Sequence, residues 1–132
     1  MSNQAEHNTF IFNDKIDREL LFSLYEDDFP YMEEIFSITL SQIKPDISQL
    51  KAAFESGDKE ELRKSAHKLK PSFGFVGLPV MQEQCKQFET ECAAAPSAEG
   101  LSPLFHKLID ALEENVTIIE SEYHKLKEYN QP

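Results

Sequence analysis

Four cationic side chains surround one histidine in RKSAHKLKPSFGFVGL, residues 63–78. Arg63 and Lys64 precede His67, and Lys68 and Lys70 follow it. Pro71 stands four residues on and Gly74 seven. Neighbouring cations disfavour a protonated imidazole, so a neutral, nucleophilic ring nitrogen is expected. The same cations would favour a phosphate once attached. Glycine in a helix interior costs about 1 kcal/mol relative to alanine. The compensation expected of Gly74 is room for something bulky to approach the ring.

The helix that carries this stretch decides where the ring points. With Leu62 at zero and about 100° per residue, Ala66, Leu69, Phe73 and Val76 fall within about 40° of Leu62 and form a core stripe. His67 falls near 140°, away from the core, with Gly74, Arg63 and Lys70 between about 80° and 120° and Pro71 near 180°. A satisfied core histidine is thereby excluded. An idle surface histidine remains the plain alternative.

The remaining elements repeat the helical spacing of three and four, and no convincing alternating strand is found. A short first helix is expected over roughly Asp14 to Tyr25, with Ile16, Leu20 and Leu24 on one face. A second starts near Asp28–Pro30, a cap followed by a tolerated proline. Its stripe is Met32, Ile35, Phe36, Leu40, Ile43, Ile47, Leu50 and Phe54, and Pro45 should kink it. Ser56-Gly57-Asp58 closes it, with Asp58 able to cap the next helix. The third helix runs from about Lys59 to Val76, and Gly77-Leu78-Pro79 turns the chain. The fourth starts at Pro79 and aligns Met81, Cys85, Phe88 and Cys92. Residues 93–100, AAAPSAEG, loosen into a loop. The last helix spans about Ser102 to Tyr129, with Leu101, Phe105, Leu108, Leu112, Val116, Ile119, Tyr123 and Leu126 as its stripe. The expected fold is all-α: an antiparallel up-down four-helix bundle covered by a short extra N-terminal helix. Residues 1–10 are expected to form a flexible tail and 11–130 a single domain.

Composition narrows the partners. The 132 residues carry a formal net charge of −11, which argues against nucleic acid and anionic membrane as general partners. No apolar run approaches the roughly 20 residues that span a bilayer. MSNQAEHNTF has no basic or apolar leader pattern, so no signal peptide is expected. Cys85 and Cys92, two turns apart and roughly 10 Å between Cα atoms, are too distant for a disulfide. They read as buried thiols of a reducing cytoplasm. The glycines at 57, 74, 77 and 100 form no phosphate-cradling loop, so no ATP site of the chain's own is expected. None of His7, His67, His106 and His124 follows a glutamate by three, which removes the di-iron bundle pattern.

The stretch AHKLKPSFGFVGL, with LKAAFESGDKEELRKSAHKLK before it and CKQFE after it, resembles the histidine-containing phosphotransfer (HPt) domain. The pattern is Ala-His-x-Leu-Lys, a glycine seven after the histidine, then Leu…Cys…Glu. It covers about Asp28 to Glu91, and the helix count extends it over nearly the whole chain. The resemblance implies a stand-alone phosphocarrier of a two-component phosphorelay. His67 would carry the phosphoryl group on Nε2 and exchange it with aspartates of response-regulator receiver domains. Lys70 would sit near the phosphoryl oxygens, and Gly74 would open the surface to the partner. Glu89 would stand near the other ring nitrogen and fix the tautomer; as a plain surface residue it would be a solvated helix charge.

The implied partners are receiver domains, a hybrid histidine kinase, or both, with Mg²⁺ supplied by the receiver and no cofactor of the chain's own. Arg63, Lys64, Lys68, Pro71, Phe75 and Tyr31 are expected to border the partner surface. Ile38, also off the core stripe, is expected to lie under the first helix. Many family members have glycine where this chain has Pro71, which deletes an amide below His67. A cytoplasmic monomer that is not an enzyme is expected. The alternative is a helical-bundle interaction module that binds a signalling partner without phosphorylation.

Overall fold

The computed structural model describes residues 10–132, so the part of the expected tail before Phe10, His7 included, lies outside the described residues. Phe10 itself is not tail: it is buried in the core, tilted against Phe12 and in edge contact with Tyr129. Five α-helices follow: α1 (Arg18–Tyr25), α2 (Phe29–Ser56), α3 (Lys59–Phe75), α4 (Pro79–Ala94) and α5 (Ser102–Tyr129), with a 3₁₀ turn, Glu99–Leu101, before the last. No strand occurs among the described residues. No helix among them is long and apolar enough to cross a membrane.

Local chemistry starts the first three helices in the same way. The side chains of Asp17, Asp28 and Asp58 accept the backbone N–H groups of Leu20, Tyr31 and Glu61, each satisfying a donor the helix leaves open. Proline occupies the first turn of α2, α4 and α5, where no amide is needed. α2 ends on Gly57 in the left-handed conformation. α2 and α3 both continue through their internal prolines, Pro45 and Pro71.

The long helices pack as a closed bundle: α2 lies against α3 and α5, and α4 against α3 and α5, with α3 and α4 the most extensive pair. Leu62, Ala66, Leu69 and Phe73 of α3, and Val76 at its C-cap, are fully buried, as the phase requires. They meet Met32, Phe36, Ile43 and Leu50 of α2, Met81, Cys85, Phe88 and Cys92 of α4, and Phe105, Leu112, Ile119 and Leu126 of α5 in one cluster. Both cysteines are free and buried. Burial pushes the Cys85 thiol up to about 12 and the Cys92 thiol to about 11, so both stay protonated at neutral pH.

The N-terminal cover departs from expectation. α1 starts at Arg18 rather than near Asp14, and Leu21 is the side chain it buries, while Leu24 is exposed and Leu20 half-buried. The segment before it is held from below. Glu122, buried on α5, accepts the Asn13 N–H through Oε1 and the Lys125 ammonium through Oε2, each at 3.0 Å. The Asp17 N–H donates to the Gly77 carbonyl at 2.7 Å. The cover thus sits on the α3–α4 turn, and Ile38, expected beneath it, is 49% exposed.

Candidate functional site

α3 and α4 run antiparallel, and two contacts fix their register. His67 faces Glu89, and Gly74, seven residues later, faces Gln82, seven residues earlier. The core stripe of α3 turns His67 outward, and its side chain is 64% exposed. Glu89, 17% exposed, lies in the seam between the helices. Its Oε2 is 2.8 Å from Nδ1 of His67, and its Oε1 is 2.8 Å from the Lys70 ammonium. Arg63 approaches Oε2 at 3.6 Å.

The carboxylate sets the tautomer. The Lys70 ammonium, with a further contribution from His67, holds the Glu89 carboxyl below its ordinary 4.5 against the opposing effect of partial burial. At neutral pH the group is ionised and can only accept. Nδ1 therefore donates, and in the neutral ring the lone pair is left on Nε2, the exposed edge. Sequence alone left Glu89 between a solvated charge and a tautomer-fixing residue; it touches the ring.

A depressed carboxyl fixes the sign of a pH effect. What Glu89 contributes to stability is present above about 4.5 and is lost as the pH falls through its lower folded value. Wild type and Glu89→Gln should therefore differ more in urea melts at pH 6 than at pH 3. A gap that stays constant, or widens in acid, would contradict the arrangement.

The cations of the stretch are more committed than their spacing suggests. Arg63 is bound to Glu60, three residues before it, and Lys68 to the largely buried Asp46 of α2 at 3.2 Å. Lys70 is bound to Glu89. The imidazole is thus not ringed by unmatched positive charge, because carboxylates from α2, α3 and α4 have come to meet it. The Glu60–Arg63 spacing carried that signal in sequence. Asp46 did not, because it falls among core residues and its partner is on another helix.

Gly74 has a use that spacing alone did not disclose. A Cβ there would lie 3.0–3.3 Å from the side-chain amide of Gln82. The missing side chain lets that amide lie on α3, so the room beside Gly74 is already partly taken. Gln82 is the site neighbour that sequence reasoning missed, and the antiparallel register was the signal for it. Gly74→Ala gains helix propensity of up to about 1 kcal/mol, but presses on Gln82. The full gain should be seen only with Gln82→Ala also present. A thermal-melt double-mutant cycle measures this, and strictly additive changes would show that the amide yields freely.

The expected partner border is exposed. Phe75 is 52% and Tyr31 46% exposed, and Pro71, Lys64 and Lys68 also face solvent, with Arg63 half-buried. Tyr25 joins two of them. Its hydroxyl donates to the Phe75 carbonyl at 2.8 Å and its ring meets Tyr31 edge-on at 5.6 Å. Burial, followed by Tyr31, raises the Tyr25 phenol above its ordinary value.

The four-helix bundle presents an outward histidine whose inner nitrogen is held by a carboxylate and whose outer nitrogen takes no hydrogen bond among the described residues. The Hpt domain family model matches residues 34–127, and the chain belongs to this family. Its role is histidine phosphotransfer in two-component phosphorelays. The fold is similar to that of the HPT domain from the Hpt sensor hybrid histidine kinase of Shewanella: TM-score 0.71 at 17% identity over 84% of this chain and 95% of that one. It is also similar to histidine-containing phosphotransfer protein B of Pseudomonas aeruginosa PAO1: TM-score 0.74 at 21% identity over 89% and 98%. At these identities the likeness carries the fold. No curated protein matches the chain.

Proposed function

We propose that His67 is the phosphorylated residue and that it exchanges the phosphoryl group with aspartates of receiver domains. One observation carries this: Nδ1 of an exposed histidine is held 2.8 Å from a carboxylate, which leaves Nε2 as the free nucleophile. In the accepting step the Nε2 lone pair attacks phosphorus of an aspartyl phosphate. The P–O bond breaks, its electron pair returns to the aspartate, and the N–P bond forms. As the ring loses electron density, the ionised Glu89 on Nδ1 stabilises the positive charge that develops. The donating step is the reverse, with the electron pair returning to Nε2. Lys70 holds the other oxygen of Glu89 and so orients the carboxylate.

The phosphoryl group comes from a partner, a receiver domain or a hybrid kinase. The chain carries no phosphate-cradling glycine loop, and it acts as a mediator rather than as a kinase. Mg²⁺ belongs to the receiver side of the complex. Tyr31, Pro71 and Phe75 border the surface a receiver would cover. The test is to mix the chain with phosphorylated receiver domains and follow the label. Acid-labile label should arrive on this chain, and its absence with every receiver would leave the bundle as a plain interaction module.

A further inference from the structure

We propose that Lys64, rather than Lys70, is the cation that contacts the phosphoryl group carried by Nε2 of His67, and that Lys70 acts through Glu89 as a positioning residue. The inference rests on His67 being the phosphorylated residue. The ring orientation comes first. Nδ1 is turned toward Glu89 on α4, so Nε2, on the far edge of the ring, faces away from α4. Lys70 is bound on the α4 side, 2.8 Å from the same carboxylate. It would have to leave Glu89 to follow a group on Nε2, and its departure would release the carboxylate that fixes the tautomer.

The helix surface on the far side of the ring carries Lys64 and Pro71. By phase they lie near 200° and 180°, against about 140° for His67 and about 80° for Lys70. Helical side chains lean toward the N-terminus, over the preceding turn. The imidazole therefore overlies the turn that holds residues 63 and 64, three and four before it, which are its neighbours on the helix surface. Of these, Arg63 is held by Glu60 and lies toward Glu89. Lys64 is exposed and has no ion-pair partner among the described residues. Glu60, four residues before Lys64, would be its natural partner, but Arg63 takes that carboxylate. Lys68 is bound to Asp46 on the α2 side. Lys86, on α4 three residues before Glu89, stands on the side Nε2 turns from. Lys64 is the cation left over, one helical turn below the reacting atom.

A dianionic group on Nε2 gains a charge-assisted hydrogen bond from an ammonium that loses no other partner in giving it. The experiment uses potassium phosphoramidate as the donor. Nε2 attacks phosphorus, the P–N bond of the donor breaks, ammonia leaves, and the N–P bond to His67 forms. The full chain, Lys64→Gln, Lys64→Arg and Lys70→Gln are compared by ³¹P NMR for the rate of labelling and by ¹⁵N NMR for the ring tautomer. Lys64→Gln should label about tenfold more slowly, the size of one charge-assisted bond in the transition state. Lys64→Arg should restore the rate to within about twofold, because the charge returns. The ring nitrogen signals should be unchanged in Lys64→Gln and altered in Lys70→Gln, which separates phosphoryl contact from positioning. Wild-type labelling rates in Lys64→Gln, or no rescue by arginine, would overturn the role of Lys64 while leaving His67 as the carrier. A wild-type chain that takes no label on His67 would overturn the carrier reading, and this inference with it.

Discussion

His67→Gln is expected to abolish acid-labile phosphorylation and to leave the bundle standing. Glutamine keeps a polar side chain at the site but offers an amide nitrogen whose lone pair is delocalised, so no N–P bond can form. The fold should not notice. The His67 side chain is 64% exposed, and no core contact depends on it. Glu89 loses its bond to Nδ1 but keeps the Lys70 ammonium at 2.8 Å, so the carboxylate in the seam is not stranded. Changes at such positions usually stay within about 0.5 kcal/mol. Label transfer from a phosphorylated receiver and a thermal melt, run on the same preparation, measure both halves. Label that persists would move the site. His106 would then be the first place to look, since its Nδ1 donates to the Ser102 carbonyl at 2.8 Å, which in the neutral ring leaves the lone pair on Nε2. A large loss of stability would mean that the ring has a structural role its exposure does not suggest.

The parts of this arrangement legible in the sequence are those that depend on long periodic stripes. α3 and α5 repeat their apolar spacing over several turns, so their bounds and buried faces follow, and the outward direction of His67 follows from the same stripe. Of the three aspartate caps, Asp28 and Asp58 are legible in the sequence beside Pro30 and Gly57, whereas Asp17 has no such neighbouring mark. α1 fails the same test because it is short. Eight residues make little more than two turns, and Leu20/Leu24 and Leu21 offer competing faces that only the docking surface can separate. Its docking surface is the α3–α4 turn, which is why Ile38 on α2 stays exposed. The charges show the same limit from another side. Lys68 with Asp46 and Lys70 with Glu89 each join two helices, and spacing within one helix says nothing about a partner on the next. The buried Glu122 is the extreme case. On sequence it is an ordinary helix carboxylate, and only the strap carrying Asn13 explains why it is inside.

Gly77→Ala is expected to be among the most costly small substitutions in the chain. Two effects add at this position. The residue has φ of +76°, a left-handed conformation that costs a side-chain-bearing residue about 1–2 kcal/mol. A Cβ would also stand 2.9 Å from Cγ of Leu21 and 3.0 Å from Cγ2 of Ile16, the buried side chains that dock the cover. Overpacking of that kind costs typically 1–3 kcal/mol. Together they should lower stability by about 2–5 kcal/mol and the melting temperature by on the order of 10 °C. Gly57 supplies the control within the same molecule. Its φ is +73°, but a Cβ there meets nothing within 4 Å, so Gly57→Ala should show the backbone effect alone. The difference between the two melts isolates the contact with α1. Amide exchange locates it: the Asp17 N–H, bonded to the Gly77 carbonyl at 2.7 Å, should lose protection in Gly77→Ala and keep it in Gly57→Ala. The loosened cover carries Tyr25, whose hydroxyl holds the Phe75 carbonyl beside Gly74. Transfer to a receiver should therefore fall in Gly77→Ala while chemical labelling of His67, which needs only Nε2 and its immediate neighbours, continues. Equal losses in both glycine variants would mean that α1 yields without strain, and that the cover is not pressed onto the turn.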